Sequence, residues 1–142
     1  MSPSTIKYLI AAVLVLHGLG HLGAAGGIMY HRAAGTQGAW LSDRSWLLPS
    51  LSAKMAVTVA SAFWVLSAIG FVASALLFWG VLIPAEAWRQ LAVVSSVISA
   101  AGIILFLGTW PTFNTVAALG VNAAVLVTQL WTHWPPGDMF GN

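Results

Sequence analysis

An all-α integral membrane bundle of four spanning helices is what the sequence predicts, and three observations predict it. The chain has 142 residues, 59% of them hydrophobic and only 6% charged, against about 25% charged in ordinary soluble domains. No charge occurs between Lys7 and Arg32, between Lys54 and Glu86, or between Arg89 and Asp138. A spanning helix needs about 20 apolar residues, at 1.5 Å each, to cross roughly 30 Å of hydrocarbon. The first two gaps therefore hold one span each. The third holds two, divided at Gly108-Thr109-Trp110-Pro111-Thr112, where glycine and proline favour a turn. Helices satisfy their backbone polar groups internally, which lipid requires.

The expected layout is a single four-span domain covering residues 1–142. The first helix is placed at about 6–30; Lys7 followed by Tyr8–Leu16 also has the make-up of a signal peptide, but the apolar run continues past the histidines and a retained helix is expected. Residues 31–51 read as the longest loop, with Trp40, Leu41, Trp46, Leu47 and Leu48 resting at the membrane surface either as loop or as a short interfacial helix; the loop is favoured. The second helix is placed at about 53–82 and the third at about 88–107, joined tightly through Pro84, Glu86 and Arg89 and so antiparallel. The fourth is placed at about 113–134, stopped by Pro135-Pro136-Gly137. Trp79, Trp88, Trp131 and Trp134 then fall near one membrane face, and Trp40, Trp46 and Trp110 near the other, as an aromatic belt. Lys7 and Arg89 on one side against Arg32, Arg44 and Lys54 on the other leave the orientation open.

Composition excludes several classes of function. Five basic against three acidic residues are too few for a nucleic-acid-binding stripe. With no cysteine, disulfides, iron–sulfur clusters and thiol catalysis drop out. The only carboxylates, Asp43, Glu86 and Asp138, lie near the membrane surfaces, so a paired-carboxylate hydrolase has nothing inside to use. No phosphate-binding glycine loop, nucleophile elbow or clear internal repeat is present.

The most specific local feature is His17-Gly18-Leu19-Gly20-His21 in the middle of the first span. Histidines within hydrocarbon are uncommon, and two spaced by four share one helical face. The spacing suits two ligands to one metal, although two imidazoles do not complete a site. It equally suits two neutral rings that hydrogen-bond across a helix interface and fix packing. A bis-histidine haem needs ligands from opposite sides of the ring, which one helix cannot supply, whereas a pigment with one axial histidine or a hydrogen-bonded quinone escapes that objection. Ser67, Ser99 and Asn122 fall at the same depth, and both histidines are expected to point inward toward Asn122 or Ser99. His17, His21, Asn122 and Ser99 are thus the candidate cofactor-binding residues, with His17 and His21 the candidate metal ligands. Gly20, Gly23 and Gly27 form a small-residue stripe, read either as packing inside the bundle or as a self-association face.

His17-Gly18-Leu19-Gly20-His21-Leu22-Gly23, Trp88-Arg89 and Val121-Asn122-Ala123-Ala124 resemble a group of small, uncharacterised bacterial four-helix membrane proteins. More distantly the chain looks like the DoxX-like membrane proteins, whose first helix often has a similar His-Gly start with lysine where this chain has His21. The resemblance implies a four-span fold in a bacterial inner (plasma) membrane and supplies no catalytic residue; His17, His21 and Asn122 carry over as positions to test.

The function expected first is that of a small accessory or scaffold subunit, associating with a partner membrane protein or with itself and having the lipid bilayer as its surroundings. The alternative is a redox, pigment, metal or quinone-binding protein using His17 and His21, and a second alternative is a small-molecule permease. No particular cofactor is indicated, and enzyme activity has little support.

Overall fold

The computed structural model describes residues 2–36, 38 and 42–140. These form an all-helical, four-helix bundle: α1 (Pro3–Ala34), α2 (Ala53–Phe78), α3 (Trp88–Leu105) and α4 (Thr112–Leu126). Short helical turns stand before α3 (Ala85–Ala87), after α4 (Val127–Trp131, π-helical) and near the C-terminus (Gly137–Phe140). All four helices, counted with their flanking turns, are long and apolar enough to cross a membrane. The chain is an integral membrane protein by that criterion.

The boundaries differ from the sequence expectation for local reasons. α1 starts earlier because Ser2 caps it, its hydroxyl accepting from the Thr5 N–H at 3.2 Å with Pro3 in the first turn. It runs on to Ala34, where Gly35 takes a left-handed conformation at φ 63° and donates to the Arg32 carbonyl. At 32 residues it is roughly 48 Å long, more than the hydrocarbon alone requires. α2 ends at Phe78 rather than residue 82, because Gly80 at φ 78° turns the chain out of the helix. α3 likewise ends at Leu105, ahead of Gly108 at φ 85°. α4 is regular only to Leu126 and widens into the π-helical turn before reaching Trp134.

Packing is unequal around the bundle. α1 lies on α2, α2 on α3 and α3 on α4, whereas α1 and α4 scarcely meet. The close approaches are made by small residues, which let helix backbones come together in lipid. A Cβ on Gly18 would sit 3.0 Å from the Ala68 carbonyl oxygen, and one on Gly102 2.7 Å from Phe63 Cβ. Gly70 faces Ser95 so closely that any side chain there would collide with its hydroxyl. Ser74 is fully buried and donates to the Trp88 carbonyl at 2.7 Å, tying α2 to the start of α3. Apolar residues gather in two clusters, one around Leu14, Phe71, Phe78 and Trp88 and one around Ile28, Trp64 and Phe106.

The loop before α2 does more than cover the surface. Ser45 Oγ donates to the Leu105 carbonyl and Trp46 Nε1 to that of Ile104, both at 2.6 Å, so the loop satisfies two carbonyls that α3 leaves open at its C-terminus. Residues 42–51 form bends and a turn and no helix, in keeping with the loop reading; Trp40 and Leu41 lie outside the described residues. Replacing Trp46 by phenylalanine keeps an aromatic ring and removes the donor. The expected loss is about 1 kcal/mol of stability, read as an earlier unfolding midpoint in mixed micelles. An unchanged midpoint would show that the bond contributes nothing.

The tryptophan belt is only partly realised. Trp46, Trp79, Trp131 and Trp134 are exposed, as lipid-facing anchors should be. Trp88 instead packs inward against Phe78, with ring centroids 4.6 Å apart, and Trp110 turns toward Trp64 at 5.8 Å.

Candidate functional site

Between the two apolar clusters lies a polar layer at the middle of the bundle. Both histidines of α1 turn inward, the direction expected of ionisable groups within a membrane span. His17 Nε2 lies 2.9 Å from Asn122 Oδ1 of α4, Asn122 Nδ2 donates to Ser99 Oγ of α3 at 2.7 Å, and Ser99 Oγ lies 2.8 Å from His21 Nε2. One continuous chain of hydrogen bonds thus joins three helices and returns to the first. Asn122 and Ser99 are fully buried and His21 nearly so, while His17 is half-buried.

Phe71 of α2 closes the layer from the other side. Its ring is edge-on to His17, with centroids 4.6 Å apart, and stacks parallel to His21 at 6.2 Å. The two imidazoles are 4.7 Å apart and nearly perpendicular. Gly18, one residue from His17, allows this arrangement, because its missing side chain lets α1 settle onto Ala68, Phe71 and Val72.

Ser67, expected at the same depth, does not join the layer. Its hydroxyl donates to the Phe63 carbonyl of its own helix at 2.7 Å, the local bond that serine makes readily inside a helix. As to metal, both Nε2 atoms already have partners, and among the described residues no group of three or more His, Cys, Asp or Glu gathers. The arrangement supports hydrogen bonding by this pair more directly than coordination.

The open seam between α1 and α4 is occupied by two cavities. The larger, about 430 Å³, is lined by Leu16, His17, Gly20, His21 and Gly23 of α1, by Phe106 and Trp110, and by Phe113 and Val121 of the α4 side. The smaller, about 290 Å³, is lined mainly by apolar residues including Ile10, Leu14, Trp88 and Val125. Val121 borders both, and the His17–Asn122 bond bridges the seam at this level. Asn122 is the one fully buried residue of α4. α4 buries far less of itself than α2 does, so polar contacts make up a larger share of what seats it.

A second polar fastening holds its far end. Arg89 donates to Gln129 Oε1 at 2.9 Å and to the Pro135 carbonyl, and Gln129 Nε2 donates to the Trp134 carbonyl at 2.9 Å. The guanidinium also lies over the Trp88 ring, 4.9 Å from its centre. Nothing in the sequence marked this clamp beyond the Trp88-Arg89 pair.

The glycine stripe does not take the role of packing inside the bundle, one of its two sequence readings. A Cβ on Gly20 or Gly23 would meet no atom within 4 Å, and one on Gly27 only the Trp110 ring edge at 4.0 Å. These glycines are therefore not close-packing positions inside the bundle. Gly20 and Gly23 instead form part of the wall of the larger cavity beside the histidines.

No protein-family model, no curated protein and no solved structure matches the chain.

Proposed function

We propose that this protein binds a lipid-soluble small molecule, taken up laterally from the bilayer into the groove between α1 and α4, with His17 and His21 as its polar contacts. The observation that carries the reading is the coincidence of two features: the seam that the described helices leave open between α1 and α4 is also lined by both histidines of the polar layer. A cavity of about 430 Å³ falls within the range of roughly 300–1,000 Å³ usual for small-molecule sites, which are mostly apolar with a few converging polar groups. A partner helix fits it poorly. At about 10 Å across and 1.5 Å per residue, a helix fills such a volume within about one turn.

This favours the ligand-binding alternative over an accessory subunit. It also weighs against a permease, since the second cavity is mostly apolar and offers no polar continuation of the path. The likeness of the first helix to bacterial membrane proteins makes a bacterial inner membrane the natural setting in which to search for the ligand.

The test is to purify the chain and its Gly23→Leu variant gently from native membranes and extract bound small molecules for mass spectrometry. A Cβ at position 23 meets no atom within 4 Å, so a leucine there starts from open space and extends along the cavity wall. We expect a compound enriched with the wild type and reduced at least tenfold in the variant, with unchanged helical circular dichroism. Identical extracts from both proteins would remove the reading, and a stoichiometric protein partner in place of any compound would return the accessory-subunit function.

A further inference from the structure

We infer that the groove selects a neutral amphiphile whose head carries a hydrogen-bond donor and an acceptor on one carbon, as a protonated carboxylic acid or a primary carboxamide does. The inference rests on the binding reading above and adds the chemistry of the head group, which follows from the direction of the hydrogen-bond chain.

A neutral imidazole has one N–H and one bare nitrogen, and neutral rings are the form that mid-membrane burial favours. Asn122 Oδ1 can only accept, so the His17 Nε2 that bonds it carries the hydrogen and His17 Nδ1 is bare. Asn122 Nδ2 donates to Ser99 Oγ. Among the described residues the Ser99 hydroxyl hydrogen has no acceptor other than His21 Nε2, which must therefore be bare, leaving the hydrogen on His21 Nδ1.

Turning the Asn122 amide over reverses every bond in the chain and exchanges the two tautomers together. Because the amide has one donor end and one acceptor end, the result is the same in both orientations: the two histidines are of opposite tautomer. With both Nε2 atoms engaged, the ring nitrogens without a protein partner among the described residues are the two Nδ1 atoms, one a donor and one an acceptor. They belong to rings 4.7 Å apart that both line the groove. Two bonds of about 2.8 Å can converge from such rings on a single small head group. The aliphatic and aromatic remainder of the lining suits an apolar chain leading back to the bilayer.

A carboxyl or carboxamide head answers both nitrogens at once. An ester or a quinone carbonyl offers acceptors only and leaves the bare imidazole nitrogen without a donor. A polar group buried without a partner is the costlier defect, and the expected discrimination is about tenfold.

Two measurements test this. Solid-state ¹⁵N spectra of histidine-labelled protein in bilayers, with His31 and His133 replaced by glutamine, should show one ring protonated at Nδ1 and one at Nε2. Two rings of the same tautomer would overturn the inference and leave the groove reading standing. Radiolabelled palmitic acid, palmitamide, methyl palmitate and a decyl benzoquinone are then partitioned between loaded and empty nanodiscs. We expect the acid and the amide to bind about tenfold more tightly than the ester and the quinone, and Gly23→Leu to erase the difference. Equal binding of ester and amide, or preference for the quinone, would overturn the head-group assignment alone. Binding of the acid without the amide would signal recognition of charge and overturn it too. Absence of binding by every probe would remove the groove reading with it.

Discussion

Replacing Asn122 by leucine is expected to release α4 from α1 while leaving α1, α2 and α3 assembled. The substitution keeps a side chain of similar size and removes both hydrogen bonds that Asn122 makes, to His17 and to Ser99. Hydrogen bonds between spanning helices average about 0.6 kcal/mol and reach about 1.7, so the two together are worth roughly 1–3 kcal/mol. For most spanning helices that would be a small fraction of the packing energy. For α4, whose one fully buried residue is Asn122, it is a larger part, and each 1.4 kcal/mol is about a tenfold change in the seated population.

The chain has no cysteine, so pairs of spin labels can be introduced cleanly at exposed sites such as Leu19 of α1 with Val116 of α4, and Leu19 with Leu66 of α2. Pulsed distance measurements should show the first pair broadening and lengthening in Asn122→Leu and the second unchanged. If both distributions stay narrow, the Arg89 clamp and apolar packing hold α4 between them and the polar layer is not its fastening.

Gly102→Ala is expected to destabilise the α2–α3 pair by about 1–3 kcal/mol, the usual range for overpacking. The added methyl would lie 2.7 Å from Phe63 Cβ, an atom beside the backbone that no rotamer change can move away. Gly120→Ala on α4 is the matched control, because nothing lies within 4 Å of its Cβ; the exchange there gains up to about 1 kcal/mol of helix propensity. Unfolding midpoints in mixed micelles should move in opposite directions for the two variants. Equal shifts would mean that α2 and α3 do not approach as closely as Gly102 and Phe63 indicate.

Much of this was legible in the sequence, and the remainder was hidden for identifiable reasons. Charge-free gaps of membrane length define the four spans without any knowledge of packing. The spacing of His17 and His21, and the rarity of asparagine at that depth, single out the polar layer. Which serine joins it was not legible. Ser67 and Ser99 are chemically identical, and choosing between a bond to the helix's own carbonyl and one across the interface depends on helix rotation. Spans that are apolar on every side carry little record of rotation. The same ambiguity concealed that Gly18 makes the close contact while Gly20 and Gly23 face the groove. The capping of α3 by Ser45 and Trp46 joins residues about sixty positions apart, and no local pattern encodes such a partner. The early end of α2 had a local sign in Gly80, which was outweighed by the apolar residues that follow it.

The hydrogen-bond chain also dictates an order of events during synthesis. His17 enters the membrane with the first span, but its partner Asn122 lies 105 residues later, and Ser99, the partner of His21, lies 78 residues later. At about 5–20 residues per second, a ribosome needs roughly 5–20 s to deliver Asn122 after His17. For that interval α1 holds two imidazoles without their final partners. Ser99 can serve His21 when the third span arrives, and the circuit closes only with the fourth. Whatever escorts the nascent chain into the bilayer must therefore shelter the most polar stretch of its first helix until its last helix is inserted.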